Sequence, residues 1–512
     1  IWFRKGLRLH DNLALIDATR GASHLIPLVV IDPFLVHPDR CGARPLQFFL
    51  ECLEDLDQSL RQLHASRLVV LTGDPVEVIP RVAQDWRVSK LCYEMDTGRY
   101  GSIRDAKIAA ALATTSTRVH AFPGHTLYAA DDVRAAYGPS YPIQCADFRK
   151  RTAHLVVGAP LSAPVSVPPL PANHDNFILD RSSIPTLADL GFHEILEPIA
   201  LVGGESHALR RLDAAFADEE HIRTYSKQDT SPLAVDPASS SSLSPFIARG
   251  SLSIRLVYSK LMGILARGSP PQPPHLEPPR SFLGQLLWRE FHYACSYLTP
   301  NYYSVENNPL CPQALTWSQD ETKLQAWARG RTGYPWIDAA MRQLRAEGWI
   351  HNHARNAVAC FLTRGDLWID WRLGRDLFEK LLVDADPALN NGGWLWQSGS
   401  VYLPRNFSAQ HPATYPKKFA DSGHGAYIRR YVPALAKMPA KYIYEPWKAS
   451  MDVQVAAGCI LGRDYPHRLV IHESESRVLF ERMNAALTAS APPKTNKKTH
   501  KQPSRLKMTK QA

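Results

Sequence analysis

Between Trp349 and Trp371 the chain reads WIHNHARNAVACFLTRGDLWIDW, an apolar stretch interrupted by His351, Asn352, His353, Arg355 and Asn356. A spacing of four puts Asn352 beside Asn356, and His351 beside Arg355, as two polar rows on a helix next to Ala357, Val358 and Phe361. Buried amides and guanidinium groups must be hydrogen-bonded or paired, so this helix faces something polar inside its domain. Downstream, LLVDADPALNNGGWLW at 381–396 supplies Asp384 and Asp386 as carboxylates for Arg355 or for a ligand donor. It also supplies the amides of Asn390 and Asn391, and Gly392 with Gly393, where a ring or a tight turn fits close to the backbone. Of the 12 tryptophans, Trp317, Trp327, Trp336, Trp349, Trp368, Trp371, Trp394 and Trp396 lie in this region. Trp368 and Trp371 are three apart and share a helical face. The set suits a large, polar-rimmed cofactor held in an aromatic-rich domain, and an ordinary buried network among core indoles fits the same spacing.

The elements that must position these groups fall into two parts. Residues 1–125 alternate strand-like runs (25–32, 67–73, 90–95, 117–124) with amphipathic patterns at 45–63, 75–86 and 102–112, the βαβ signature of a doubly wound parallel sheet. They contain neither GxGxxG nor GxxxxGK[ST]. Residues 126–199, with the proline-rich LSAPVSVPPLPANHD at 161–175, read as an interdomain linker. From 200 to 488 helical periods dominate, which predicts a large all-helical domain. ASSSSLSP at 238–245 stands at a helix start, where hydroxyls cap free backbone donors and N–H groups can hold an anion.

A chain of 512 residues that is 45% hydrophobic has ample core for two such domains. The eight cysteines form no CxxC or Cys/His cluster, so no metal site is expected and a reducing compartment is. No apolar run approaches a membrane span, and the N-terminus shows no signal or transit pattern. The net charge of +10 is concentrated in a tail from 489 to 512 that carries seven Lys or Arg from Ala491 onward and no acid, and that is expected to be disordered.

Over roughly residues 1–485 the chain resembles the photolyase and cryptochrome family. The matching motifs are FRKGLRLHDN at 3–12, SLSPFIARGSLS at 242–253, FLGQLLWREF at 282–291, GRTGYPWIDAAMRQLRAEGWIHN at 330–352, ACFLTRGDLWIDW at 359–371, LLVDADPALNNGGWLW at 381–396, and YIRRYVPAL with KYIYEPW at 427–447. RGDLWIDW, REFHYACSYLTPNY and AAGCILGRDYP resemble the animal cryptochrome and (6-4) photolyase branch. The resemblance implies FAD in the helical domain, with Ser240, Ser241 and Ser244 at its phosphates and Gln285, Arg289 and Asn352 lining its pocket. Arg355 and Asp384 would form the salt bridge flanking the flavin ring, Asp386 a further contact, and Asn390 the neutral donor or acceptor facing flavin N5. Trp288 and Gln285 would lie on the substrate side. Trp394, Trp371 and Trp317 would form an electron-transfer triad, with Trp368 as the fourth member. A folate or deazaflavin antenna in the α/β domain is compatible with the family.

Two departures bear on function. The family's (6-4) repair enzymes carry HHxxRH in this helix, and Asn352 and Asn356 stand where the second and third histidines face the lesion. A carboxamide cannot shuttle a proton near neutral pH. Gln285 occupies the place of a glutamate that bonds the dimer in cyclobutane-dimer enzymes. The leading expectation is therefore a blue-light receptor photoreduced through the tryptophan chain, probing light as a monomer with a signalling protein partner. The alternatives are a light-dependent DNA photolyase acting on (6-4) or cyclobutane lesions, and a light-independent protein- or DNA-binding module with structural FAD. Arg405, Lys417, Lys418, Arg429 and Arg430 are candidates for DNA phosphates. Nucleus or cytoplasm is the expected location, an organelle being compatible.

Overall fold

The computed structural model describes residues 1–64, 66–171, 183–234, 239–267, 280–311, 315–401, 409–419 and 424–489. Its N-terminal part holds β1 (Leu28–Ile31), β2 (Val69–Thr72), β3 (Lys90–Glu94) and β4 (Arg118–Phe122). β1 runs parallel to β2 with Leu28 opposite Val69, and β3 runs parallel to β4 with Lys90 opposite Arg118. The first residues join the two pairs: Phe3 N donates to Leu28 O at 2.8 Å and Trp2 N to Cys92 O at 2.9 Å. The spatial order is thus β2, β1, the N-terminal segment, β3, β4, the doubly wound arrangement expected from the sequence. Helices Ala43–His64, Pro75–Asp85 and Arg99–Leu112 make the crossovers. Asp74 caps the second of these by accepting from Val76 N, with Pro75 preset at the first helical position.

The stretch 126–199 is more than a connection. It contains helices Ala130–Tyr137 and Cys145–Thr152, whose Val133, Tyr137 and Phe148 are buried in one core with Phe291 and Trp327 of the helical domain. These few large side chains, too sparse to show a period, anchor the segment. The proline-rich part runs without regular structure as far as 171, and its remainder lies outside the described residues, as do Arg405 and the basic tail. From Glu205 to Ala489 every helix-rich element belongs to the second domain, and no described helix is long and apolar enough to cross a membrane.

The motif FRKGLRLHDN clasps the domains together. Arg8, only 1% exposed, forms a 2.6 Å ion pair with Glu94 and donates to Gly250 O at 2.9 Å. Asp11 accepts from Ser253 and from Arg255, and His10 meets Glu205. Gly250 has φ +70°, and a Cβ there would sit 1.5 Å from Lys5 O, so only glycine permits this approach. Arg8→Met should leave the Glu94 carboxylate buried without its partner and cost about 3–5 kcal/mol of stability, measured by denaturant titration.

Candidate cofactor site

A cavity of about 760 Å³ opens in the helical domain, within the range of small-molecule and cofactor sites. Three helices build most of it, and each is started by a side-chain cap. Ser281 accepts from Gly284 N to begin Phe282–Leu298, His351 Nδ1 accepts from His353 N to begin Asn352–Cys360, and Asp386 accepts from Ala388 N and Leu389 N to begin Pro387–Ser398. The caps fix where each helix enters the wall, and hence which of its faces lines the cavity. Ser240, Ser241, Ser244, Gln285, Trp288, Arg289, Asn352, Arg355, Asn356, Asp384, Asp386, Asn390 and Trp394 all line it.

At its centre Arg355 Nη2 donates to Asp384 Oδ2 at 2.8 Å while its Nε donates to Ile350 O at 2.9 Å. Ser244 Oγ donates to the same Asp384 oxygen at 2.7 Å. Asp384 Oδ1 is buried and has no partner among the described residues, and the same holds for Ser240 Oγ and Gln285 Nε2. Such orphaned atoms carry a desolvation cost unless something in the cavity bonds them. Asp386 also accepts from the Tyr293 hydroxyl, and Arg289 pairs with Glu290 at 3.0 Å. Burial pushes the Glu290 carboxyl up to about 7.

Asn390 gives both amide hydrogens away, to Arg375 O and to Glu379 Oε2, each at 2.9 Å. Its Oδ1 is the atom left for the cavity, so this position presents an acceptor rather than either group. Asn391 is turned elsewhere, donating to Tyr302 O and accepting from Arg375. Gly392 admits the His292 ring, while Gly393 borders open space in the cavity wall. Asn356 donates to Asn352 Oδ1 at 3.4 Å, so the two amides are partners of one another. Neither nearby imidazole titrates usefully there. Burial and the Lys227 and Arg355 charges hold His351 down to about 3, and His353 is spent on Lys227 O and the Tyr415 hydroxyl.

The tryptophans of the expected chain run from the cavity wall into the domain. Trp394 borders the cavity and packs so close to Gly374 that a Cβ there would sit 2.2 Å from its ring. Trp371, fully buried, starts the Trp371–Leu381 helix that carries Gly374, and Trp368 lies before the Asp370 cap at φ +55°, so the two indoles do not share a helical face as their spacing predicted. Trp317 packs both on the core containing Trp371 and Trp394 and on the small cluster around Trp368, whose ring centroid is 5.8 Å away. Sequence reasoning missed Lys227, Trp396 and Gln397 in the lining. Lys227 lies 125 residues before Asn352 with no periodic signal to link them. Of the basic candidates, Lys417 pairs with Glu445, Arg430 with Glu347, and Arg429 donates to Ala436 O and Met438 O, so they serve local structure first.

Comparison with known proteins gives two family matches: "FAD binding domain of DNA photolyase" over residues 282–485 and "DNA photolyase" over residues 1–168. The (6-4) DNA photolyase of Arabidopsis thaliana is 40% identical over 501 residues, covering 95% of this chain and 88% of that protein. Cryptochrome-1 of Gallus gallus is 40% identical over 493 residues, covering 94% and 77%. Among solved structures, a bacterial class III photolyase from Agrobacterium tumefaciens superimposes with TM-score 0.77 at 29% identity, covering 95% and 97% of the two chains. A Synechocystis cryptochrome gives TM-score 0.79 at 25% identity, covering 94% and 98%.

The cavity fits FAD. The orphaned Ser240 hydroxyl beside Ser241 and Ser244 suits phosphate oxygens, the free Asp384 Oδ1 and Asn390 Oδ1 suit ring or ribityl donors, and Gln285 Nε2 offers a buried donor. Bound there, the flavin supplies one-electron chemistry, and the chain supplies orientation and electrostatics. Asp384→Asn should strip Arg355 of its counter-charge and lower flavin retention by about tenfold or more, read as flavin absorbance per purified chain. Burial raises the Glu379 carboxyl from 4.5 to about 7, so in that window the folded flavin-free protein holds a proton that the unfolded chain has released. This group's stability contribution is present below 4.5 and lost as pH rises through 7. Glu379→Gln should match the native chain at the acid end and exceed its melting temperature above neutrality.

Proposed function

This chain belongs to the photolyase and cryptochrome family, and we propose that within it the protein is a blue-light receptor, its FAD photoreduced along Trp368, Trp317, Trp371 and Trp394. The observation that carries this reading is the mutually bonded Asn352–Asn356 pair on the cavity wall. A face built for proton-coupled repair needs a group that exchanges protons near neutral pH, and here that face offers two carboxamides beside an imidazole held neutral. The indole chain supports photoreduction without requiring a substrate, since indole loses an electron without breaking a bond. A change of flavin charge next to the Arg355–Asp384 pair and Asn390 then alters the pocket, and a signalling protein partner reads that change. Nucleus or cytoplasm remains the proposed location.

DNA photolyase activity is the second reading, favoured by the mouth of the cavity. Trp288 and Trp396 meet edge to face there at 5.8 Å, and Trp396 is 46% exposed on the cavity rim. An exposed indole beside a cavity can stack on an extruded base. The test is repair by the reduced holoprotein, under blue light, of oligonucleotides bearing a (6-4) product or a cyclobutane dimer. The receptor reading expects no restored bases with normal photoreduction, and efficient restoration of either lesion overturns it. Trp394→Phe should slow photoreduction at least tenfold, about 1.4 kcal/mol in the barrier, and an unchanged rate removes Trp394 from the path.

A further inference from the structure

The helix His472–Ala489 ends the described chain by lying on the outermost indole. It is pinned at its start, where His472 Nδ1 meets Asp366 Oδ1 at 2.8 Å and His472 N donates to the Tyr334 hydroxyl oxygen at 3.1 Å. Further along, Leu479 and Met483, both fully buried, form a small apolar cluster with Trp368. Between them, Arg482 sets its guanidinium carbon 4.5 Å from the centre of the Trp368 ring. Trp368 itself is held at φ +55°, a conformation costly for a bulky side chain, by bonds from its N to Thr363 O and from Ser318 N to its O. Its Nε1 is buried and has no hydrogen-bond partner among the described residues. With this cover Trp368 is only 3% exposed, so the indole chain ends beneath a helix.

Resting on the electron path proposed above, we infer that Leu479, Arg482 and Met483 form a gate over the terminal donor: they keep oxidised Trp368 dry and protonated and drive the hole back toward Trp317. When Trp317 has passed an electron inward, Trp368 refills it with one electron and becomes a radical cation, and no bond is made or broken. Oxidation acidifies the indole N–H, yet Nε1 has no acceptor among the described residues, so the proton stays. The guanidinium that is attracted to the face of a neutral indole repels the oxidised ring, a repulsion that water around the exposed Arg482 screens in part. The hole therefore spends less time on Trp368 than an uncovered indole would allow. A diffusing thiol, the reductant that would reset the chain, meets the helix before it meets the ring. Arg482 is on this account a positioning residue for the photochemistry, acting through Trp368.

Flash excitation of the full chain with FAD bound tests this, with the tryptophan radical followed by transient absorption, which distinguishes the cation from its deprotonated form. Arg482→Leu should lengthen the radical lifetime several-fold. Met483→Ser should let water reach Nε1, shift the radical to the deprotonated form and speed its decay several-fold with added dithiothreitol, and Met483→Ala provides a milder opening should the serine variant fold poorly. Wild-type lifetime, protonation state and thiol dependence in both Arg482→Leu and Met483→Ala overturn the gate while leaving the electron path intact. A Trp368→Phe variant indistinguishable from wild type overturns the gate and Trp368's place in the path together. Absence of any tryptophan radical in the wild-type protein overturns both proposals.

Discussion

The Arg355–Asp384 pair is the constraint around which the helical domain is arranged. A guanidinium and a carboxylate in a domain core are tolerated only where each finds enough hydrogen bonds, and here three elements converge to supply them. Ile350 O comes from the turn before the 352–360 helix, Ser244 from the short helix after the serine run, and Asp384 from the segment leading into the 387–398 helix. One Asp384 oxygen is nevertheless left over. Asp384 Oδ1, Ser240 Oγ and Gln285 Nε2 are among the buried polar atoms without a partner among the described residues, and all three belong to residues that line this one cavity, a convergence that a bound ligand would complete.

The same logic orders the clasp between domains. The parallel sheet holds Glu94 at the end of β3, where Arg8 covers it, and Arg8 in turn reaches Gly250 beside the short helix that brings Ser244 to the pocket. The α/β domain thereby fixes one wall of a site to which its own sheet contributes no lining residue. Its role in the described structure is positional, and the strict glycine at 250 records how little slack the contact has.

Much of this was legible in the sequence. Four strands and their crossover helices appear at the periods that predicted them, because each alternates or repeats over enough residues to be read locally. Residue types and spacing singled out Asn352, Arg355, Asn356, Asp384, Asp386 and Asn390 but left an ordinary buried network open beside a cofactor pocket, and the family motifs added Gln285, Trp288 and Arg289. Hidden from sequence were features made by distant segments. The helices within 126–199 rest on a handful of aromatic anchors, Lys227 reaches the site from an irregular stretch, and Arg482 meets Trp368 across more than a hundred residues. The direction in which Asn390 points was equally illegible, since it is set by Glu379 one helix away.

Asn390 also shows why the two amides at 352 and 356 are not simply histidines that have lost their function. A side chain of fixed polarity is useful where orientation is enforced, and Asn390 is oriented by two bonds to neighbouring groups. Asn352 and Asn356, by contrast, are held by a single 3.4 Å contact to each other, which leaves the Asn352 amide nitrogen and the Asn356 carbonyl without partners among the described residues. One face of the cavity is therefore rigid and tuned, and the other is neutral and adaptable. A (6-4) repair enzyme requires fixed, titrating groups on the substrate face, whereas a receptor requires fixed groups only around the pigment. The distribution of rigidity in this pocket matches the second requirement.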